Sequence, residues 1–465
     1  MRQHAAVAAA LRELDGLFGE RVAVGEAVRS QHAHTLTWIP PEPPDAVVWP
    51  ETTDEVAAIV AVAGRHGVPL IPFGAGTSLE GHVNAPFGGI SVDLSRMARI
   101  VSVSPADLDC TVEAGVTRAM LNAHLRDTGL FFPVDPGAAD ATLGGMAATR
   151  ASGTTTVRYG SMRDNVISLK AVMADGSVMT TGGRARKSAA GFDLTRLMIG
   201  SEGTLGIITE LTLRLHALPA RVIATAAPFS SIAGACEAAI EAGASGLALQ
   251  RIELLDPVMI RAVNAHAKLG LPEAPYLFVE IAGSTASTEE TLAAFQEIAL
   301  GNGALSFDWA EETHAKRQLW QARHDAYPAV GTTWPGKTTV VSDVAVPLSA
   351  LAQCVTETVH DIEASRLTAP IVGHVGDGNF HVIPVFDAAA ENEVAAVRAF
   401  LDRLVRRALV LGGTCTGEHG IGQGKAGYLV QELGEPAVAA MRAIKAALDP
   451  HDLLNPGKIL TVGRR

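Results

Sequence analysis

Two short segments in the second half of the chain combine the residue types that bind metal ions. The first places two histidines around a glycine-rich turn, and the second sets a glutamate beside a histidine: Gly373-His374-Val375-Gly376-Asp377-Gly378-Asn379-Phe380-His381 and Gly417-Glu418-His419-Gly420. Two neutral imidazoles and a carboxylate are typical ligands of a catalytic divalent ion. Asp377 and Asn379 are more typical of the turn itself. From these residues alone, hydrogen-bonded turn histidines are an equally good interpretation.

The adjacent residues Glu418 and His419 can act on one ligand only in an irregular backbone, because neighbours in a regular strand point in opposite directions. Gly417 and Gly420 flank the pair and permit such a backbone. An imidazole also has the basicity that a general base needs near neutral pH. The segment is therefore a candidate for a metal ligand next to a proton acceptor.

Glycine-rich segments in the first half have the composition of an anion-binding site. Glycine lets a backbone turn sharply and aim several N–H groups at a pyrophosphate. The first segment lacks the third glycine of the dinucleotide fingerprint and opens no helix, so NAD is disfavoured, and a plain tight turn would explain it by itself. Four such segments exceed what chain reversal requires; they are residues 72–81, 135–146, 151–160 and 199–210.

The elements that must position these residues fall into two groups. The apolar run Ala46–Trp49, a helix after Thr52 and a second run at 68–73 predict a βαβ unit, which requires a neighbouring parallel strand. Thr52 and Glu55 have the spacing of a capping box. Further on, helices alternate with extended runs, as in an α+β domain. We expect a helical segment at 1–44, domains at 45–220 and 221–425, and a C-terminal segment at 426–465 that returns to the first domain.

Composition excludes several classes of protein. The 465 residues are too many for one hydrophobic core, and 48% hydrophobic with 18% charged residues excludes global disorder. A net charge of −12 argues against a nucleic-acid partner. No run approaches the ~18 apolar residues of a membrane span, and the run Ala5–Leu11 predicts an amphipathic surface helix. The scattered cysteines predict neither disulfides nor a thiolate zinc site and fit a reducing cytosol: Cys110, Cys236, Cys354 and Cys415.

The four glycine-rich segments resemble the flavin-binding domain of the vanillyl-alcohol oxidase / p-cresol methylhydroxylase superfamily, and the resemblance extends from about Val47 to Leu460. It implies an α+β fold, in which a two-part FAD-binding domain holds an inserted α+β substrate domain over an antiparallel sheet. It also implies FAD, held non-covalently, with His82 as a hydrogen-bonding residue of the loop. The residues implied to contact FAD are Pro72, Gly74, Ala75, Gly76, Thr77, Ser78, Pro136, Asp140, Thr142, Gly144, Gly145, Ser152, Gly153, Tyr159, Glu202, Gly203, Ile207, Ile208 and Asn455.

The two metal-type motifs, together with Leu319-Trp320-Gln321-Ala322-Arg323-His324, resemble the FAD-dependent D-2-hydroxyacid dehydrogenases, and their cytochrome-linked D-lactate branch most of all. In that family the residues matching His374, His381 and Glu418 hold a divalent metal, expected here to be zinc or manganese. The residue matching His419 contacts the substrate as its base. The residue matching Arg323 holds the substrate carboxylate, and Lys337 matches a position near it. Trp320 and His324 are expected to have packing and surface roles.

The resemblance implies oxidation of a D-2-hydroxy acid to a 2-oxo acid, with hydride transfer to FAD and electrons passed to a cytochrome, quinone or flavoprotein. The 2-hydroxyglutarate branch often carries Asn where this chain has Ile383, which favours a small monocarboxylate such as lactate. The alternatives are D-2-hydroxyglutarate or glycolate as substrate, an FAD-binding subunit without catalysis, and a metallohydrolase. We expect a cytoplasmic protein, peripheral to the inner membrane at most, and leave its oligomeric state open.

Overall fold

The computed structural model describes residues 2–35, 37–185 and 187–460. The described residues form two compact units, of which the second is inserted into the first. The first unit takes residues up to 153, 160–218 and those from 418 onward, and the second takes 154–159 and 219–417. The predicted two-part domain with an inserted α+β domain is confirmed.

Helices and strands are numbered along the whole chain. The helices are α1 (Arg2–Phe18), α2 (Glu26–Gln31), α3 (Thr53–His66), α4 (Arg118–His124), α5 (Leu143–Thr149), α6 (Thr156–Tyr159), α7 (Met162–Asn165), α8 (Leu194–Met198), α9 (Ile232–Ala244), α10 (Pro257–Ala267), α11 (Thr285–Gly301), α12 (Thr313–His324), α13 (Ala326–Thr333), α14 (Leu351–Ala364), α15 (Glu391–Val410), α16 (Leu429–Leu433) and α17 (Glu435–Leu448). The strands are β1 (Val22–Ala23), β2 (Ala46–Val48), β3 (Leu70–Phe73), β4 (Ile90–Asp93), β5 (Ile100–Ser104), β6 (Asp109–Glu113), β7 (Leu130–Phe131), β8 (Val166–Val172), β9 (Val178–Gly182), β10 (Ile207–Arg214), β11 (His216–Ala217), β12 (Arg221–Pro228), β13 (Leu249–Leu255), β14 (Tyr276–Gly283), β15 (Asp308–Ala310), β16 (Thr338–Thr339), β17 (Val344–Ala345), β18 (Ile371–Gly373), β19 (Asn379–Val382) and β20 (Val385–Phe386).

The first unit is built on two main sheets. The predicted βαβ unit is present, but β2 and β3 are not neighbours, because β4 lies between them and pairs in parallel with both. The second sheet is antiparallel, in the order β5-β6-β10-β8-β9. The predicted amphipathic helix is α1, whose buried residues Val7, Ala10 and Leu14 join one apolar core with residues of α3.

The cap of α3 differs in part from its prediction. The hydroxyl of Thr52 accepts a hydrogen bond from the backbone N–H of Glu55, as a capping residue does. The Glu55 carboxylate does not complete the box. It accepts two 2.7 Å hydrogen bonds from Arg21 and one from the backbone N–H of Glu51. A guanidinium outside the helix therefore takes the carboxylate that local spacing had assigned to the cap.

The second unit carries a seven-stranded antiparallel sheet in the order β15-β12-β14-β13-β18-β19-β17. Its bounds differ from the predicted 221–425, since residues 418–425 belong to the first unit. The predicted extended run His381–Val385 is divided between β19 and β20, because Pro384 has no N–H to donate to a ladder. Apolar residues of β13, β14 and α10 form the core here.

Two further observations bear on the expectations from composition. Among residues 2–35, 37–185 and 187–460, no helix has both the length and the apolar character that a bilayer crossing requires. The four cysteines all lie among these residues, and each is buried and outside any disulfide.

Candidate active site

A buried carboxylate that the motifs did not reveal, Glu253, organises the site residues of the second unit. Its oxygens lie 2.8 and 2.9 Å from Nδ1 of His374. The second oxygen also accepts a 2.7 Å hydrogen bond from Nε of Arg323. The predicted metal ligand His374 and the predicted substrate residue Arg323 are therefore joined through one carboxylate.

Sheet register explains why Glu253 and His374 meet. In the antiparallel pair of β13 and β18, Leu254 lies opposite Gly373, so the residue before Leu254 faces the residue after Gly373. Side chains at such positions are close enough to interact. Arg323 arrives from another direction, in the last turn of α12.

Two side chains lower the pKa of the Glu253 carboxyl group. Its side chain has no exposed surface, and burial by itself would raise the pKa of a carboxyl group. The interactions with His374 and Arg323 outweigh burial and hold the pKa of Glu253 below its usual value. The carboxylate therefore remains an acceptor for both partners.

The second predicted metal histidine, His381, lies beside the first. The β18–β19 hairpin pairs Val372 with His381, and the two imidazole rings have centroids 5.4 Å apart. Nδ1 of His381 lies 2.8 Å from the carbonyl oxygen of Ser342, so it must donate. An imidazole that donates through Nδ1 presents Nε2 to a metal, and such outer partners are typical of metal-binding histidines. The donor chemistry of this pair fits a divalent ion.

Glu418 and His419 lie where the chain passes from the second unit to the first. Their side chains are directed to the same side, with Oε1 of Glu418 3.7 Å from Nε2 of His419. Gly420 has φ of +79°, which provides the irregular backbone that this arrangement needs. The other carboxylate oxygen of Glu418 accepts a 3.1 Å hydrogen bond from Ser152.

A second buried carboxylate, Glu202, fixes the loop that carries His419. Its two oxygens accept hydrogen bonds of 2.7 and 2.8 Å from the backbone N–H groups of Ile421 and Gly422. Nε2 of His82 lies 3.2 Å from the same carboxylate, without hydrogen-bond geometry. Glu202 was predicted to contact FAD. The contacts of its carboxylate within this unit are with the backbone of Ile421 and Gly422 and with His82.

The predicted flavin segments approach one another closely in the first unit. A Cβ atom on Gly203 would lie 2.8 Å from the ring of Pro72, and one on Gly74 would overlap the hydroxyl of Thr142. The side chain of Asn455 donates to the carbonyl oxygens of Glu202 and His82, which brings the C-terminal segment to the same place.

Unsatisfied polar atoms lie among these segments. Oγ of Ser78 and Oδ1 of Asn455 are buried and have no hydrogen-bond partner within the described residues. Buried polar atoms normally find partners. A cradle of glycine backbone with unused hydrogen-bonding atoms fits a polar cofactor such as FAD.

Four residues predicted to contact FAD, and Lys337, which was predicted to lie near the substrate, have surroundings unlike the glycine-rich cradle. Ile207 and Ile208 are buried in apolar cores, and Asp140 is exposed. Tyr159 belongs to the second unit, where Arg158 stacks on its ring. Lys337 is 40% exposed and lies 3.5 Å from a carboxylate oxygen of Asp387.

Four further residues of the second unit, for which the sequence predicted packing, surface, specificity or turn roles, differ in burial and in contacts. Trp320 is buried in the core and His324 is exposed, as predicted. Ile383 also lies in that core. Asn379 does more than form a turn, since its amide donates 2.8 Å hydrogen bonds to the buried Asp343 and to a backbone carbonyl.

Two protein-family models match the chain. The FAD binding domain covers residues 44–182, and the C-terminal domain of FAD linked oxidases covers residues 218–459. The chain belongs to the FAD-linked oxidases. FAD is therefore its cofactor, as the flavoprotein resemblance implied, and oxidation is its chemistry.

Relatives within this family carry specific names. The chain is 48% identical to a "Probable D-lactate dehydrogenase, mitochondrial" of Danio rerio, over 95% of this chain and 89% of the relative. It is 46% identical to the mitochondrial D-lactate dehydrogenase (cytochrome) of Arabidopsis thaliana, over 90% and 73%. It is 34% identical to the glycolate oxidase subunit GlcD of Bacillus subtilis, over 91% and 90%.

A solved structure confirms the fold. The 4-ethylphenol oxidase from Gulosibacter chungangensis superposes with a TM-score of 0.80 at 20% identity, over 98% of this chain and 97% of the other. At this identity the likeness concerns architecture alone, and that architecture is the one that the resemblance implied.

Proposed function

We propose that the protein oxidises D-lactate to pyruvate, with FAD as hydride acceptor and with a divalent metal held by His374, His381 and Glu418. The observation that carries the proposal is the sharing of Glu253 by Arg323 and His374. A guanidinium that can hold a carboxylate thereby lies next to an imidazole that can hold a metal. A 2-hydroxy acid has its carboxylate and hydroxyl on adjacent carbons, which matches this pair.

Each residue has a role that follows from its chemistry. Arg323 remains protonated and holds the substrate carboxylate. His419 accepts the proton of the substrate hydroxyl, for which a neutral imidazole is suited. The bound cofactors supply two kinds of chemistry, hydride acceptance by FAD and a lowered pKa of the hydroxyl on a divalent ion. Zinc or manganese suits two imidazoles and a carboxylate.

The FAD contacts are proposed to be those that the flavin resemblance implies. Ser78 and Asn455 have the best support, since each has a buried polar atom without a partner in the described residues. Thr142 supports the adjoining backbone as the N-cap of α5, where its hydroxyl accepts from Gly145. Lys337 is proposed to lie near the substrate, on the resemblance alone.

Lactate is proposed over a dicarboxylate because Ile383 offers no polar group for a second carboxylate. Glycolate is the second candidate, since one relative is named a glycolate oxidase subunit.

The electron acceptor is proposed to be a cytochrome, the acceptor in the name of another relative. A cytoplasmic location stays a prediction, because two relatives are named as mitochondrial.

Anaerobic titration of the full-length protein with D- and L-lactate tests the proposal, with flavin absorbance as the signal. D-Lactate should bleach the flavin, L-lactate should not, and removal of metal by a chelator should abolish bleaching. Bleaching by D-lactate that persists after complete metal removal would reject the metal. Preference for D-2-hydroxyglutarate or glycolate in a substrate series with an artificial acceptor would reject lactate.

A further inference from the structure

We infer that Glu253 is a positioning residue shared by the metal and substrate subsites, so that one carboxylate sets the orientation of both His374 and Arg323. The inference rests on the proposed function, which assigns His374 to the metal and Arg323 to the substrate carboxylate. Glu253 itself touches neither the substrate nor the metal in this assignment. It acts through its two partners.

The geometry at His374 selects one ring nitrogen for the metal. Both oxygens of Glu253 lie within 2.9 Å of Nδ1. Carboxylate oxygens in this position accept a hydrogen bond from the ring nitrogen, so Nδ1 carries the proton and Nε2 is the nitrogen with a lone pair. Carboxylate partners of this kind typically raise the affinity of a histidine for its metal by fixing its tautomer and its ring.

The geometry at Arg323 orients the guanidinium in the same way. The hydrogen bond to Glu253 uses Nε, which fixes the plane of the guanidinium without using its two Nη groups. A pair of Nη groups can bind a carboxylate through two parallel hydrogen bonds. The side chain is 19% exposed, so it remains accessible to a ligand.

The strand makes Glu253 a rigid support. Within β13, Glu253 lies opposite Phe278 of β14, and the next residue, Leu254, pairs with Gly373 of β18. The backbone is therefore held from both sides. A buried ion pair contributes little net stability, because desolvation opposes the attraction. Stability alone is thus a weak reason for this carboxylate at a fully buried position of β13, and positioning is a better one.

Metal affinity provides a test that does not depend on turnover. Metal-free full-length protein would be titrated with Zn²⁺ against a competing chelator. Glu253→Gln should weaken binding by about 10–100-fold, the usual effect of losing such an outer partner. Asp256→Asn is the matched control, because Asp256 is a buried carboxylate three residues further along that caps α10. It should bind Zn²⁺ as the wild type does.

Substrate binding provides the second measurement. At saturating metal, Glu253→Gln should raise the KM for D-lactate by about tenfold, as losses of outer-shell partners typically do, because Arg323 loses the partner that orients it, and should change kcat less. In an Arg323→Ala background the same substitution should raise KM no further, since residues that act through one contact are not additive. Glu253→Asp keeps the charge but withdraws it from both partners, and provides an intermediate variant if Glu253→Gln does not fold.

The outcomes separate the inference from the proposed function. If folded Glu253→Gln and Glu253→Asp match the wild type in Zn²⁺ affinity and in KM, Glu253 is not a positioning residue, although the proposed function stands. If the wild type neither binds Zn²⁺ nor is reduced by D-lactate, the proposed function itself fails. A lower melting temperature with unchanged Zn²⁺ affinity and unchanged KM would also overturn the inference, since it indicates a structural role only.

Discussion

Two buried carboxylates, one in each unit, support predicted site residues of their own unit in different ways. Glu253 in the second unit is bound by two side chains, Arg323 and His374. Glu202 in the first unit is bound chiefly by the backbone, through the N–H groups of Ile421 and Gly422. The first carboxylate therefore orients functional side chains, whereas the second shapes the loop on which a functional side chain is carried.

A third buried carboxylate, that of Asp256, shows how much the partners of Glu253 affect its pKa. Asp256 lies three residues after Glu253, and its side chain accepts a hydrogen bond from the backbone N–H of Met259. Burial raises the pKa of Asp256 to about 7, while the pKa of Glu253 is lowered. Burial acts on both residues, so nearby positive charge decides which of them stays ionised.

The largest expected effect is that of replacing His419, which the loop held by Glu202 carries, on the rate of flavin reduction. His419→Ala should leave FAD bound and slow flavin reduction by D-lactate by about 10²–10⁴-fold, the usual contribution of a general base. Stopped-flow absorbance under anaerobic conditions measures the rate. Unchanged reduction kinetics would remove His419 from the role of base.

Removal of Glu202 tests whether this carboxylate acts on the loop. Glu202→Ala leaves two buried N–H groups unpaired and should cost about 2–4 kcal/mol of unfolding free energy. Flavin reduction should slow as His419 loses its support, whereas Zn²⁺ affinity should fall less than in Glu253→Gln. Glu202→Gln keeps an acceptor oxygen, so its stability and its rate of flavin reduction should lie between those of the wild type and of Glu202→Ala. Wild-type reduction rates in Glu202→Ala would contradict a role in the loop.

The pH dependence of stability distinguishes Asp256 from the other carboxylates. A raised folded pKa means that the folded protein keeps a proton that the unfolded chain loses between about pH 4 and pH 7. The contribution of Asp256 to stability is thus present below pH 4 and is lost as the pH rises through 7. Asp256→Asn should gain stability relative to the wild type over this range, by about 1–3 kcal/mol. Thermal unfolding at pH 5 and pH 8 measures the change, and an equal difference at both values would exclude it.

The smallest effect on the free energy of unfolding is expected from removing the exposed, uncharged hydroxyl of Thr52. Thr52→Ala removes only the hydroxyl that caps α3 and should cost about 0.5–2 kcal/mol of unfolding free energy. Denaturant unfolding measures this value, and flavin reduction should not change. A loss of Zn²⁺ affinity in this variant would show that affinity is a general reporter of stability, and would weaken the comparison of Glu253 with Glu202.

The sequence predicted the parts of the site that depend on local spacing. The hairpin that places His374 beside His381, and the glycines that let Glu418 and His419 converge, could be inferred because neighbours in sequence determine them. Glu253 was missed because it is separated from both partners along the chain and has no motif of its own. Its signal was a carboxylate in a strand that also carries Gln250 and Arg251, and a solvated surface strand gives the same signal.

The sequence by itself determined the βαβ unit and the candidate ligands, because apolar periodicity and histidine spacing are local properties, and its resemblance to a flavoprotein family implied the fold class and the flavin cofactor. Only the tertiary structure decided which partner each polar group takes. Glu55 binds Arg21 instead of completing its cap, Glu202 binds a distant loop, and Glu253 joins a helix to a hairpin. A buried carboxylate requires donors wherever the fold supplies them, and sheet register and helix packing settle that supply.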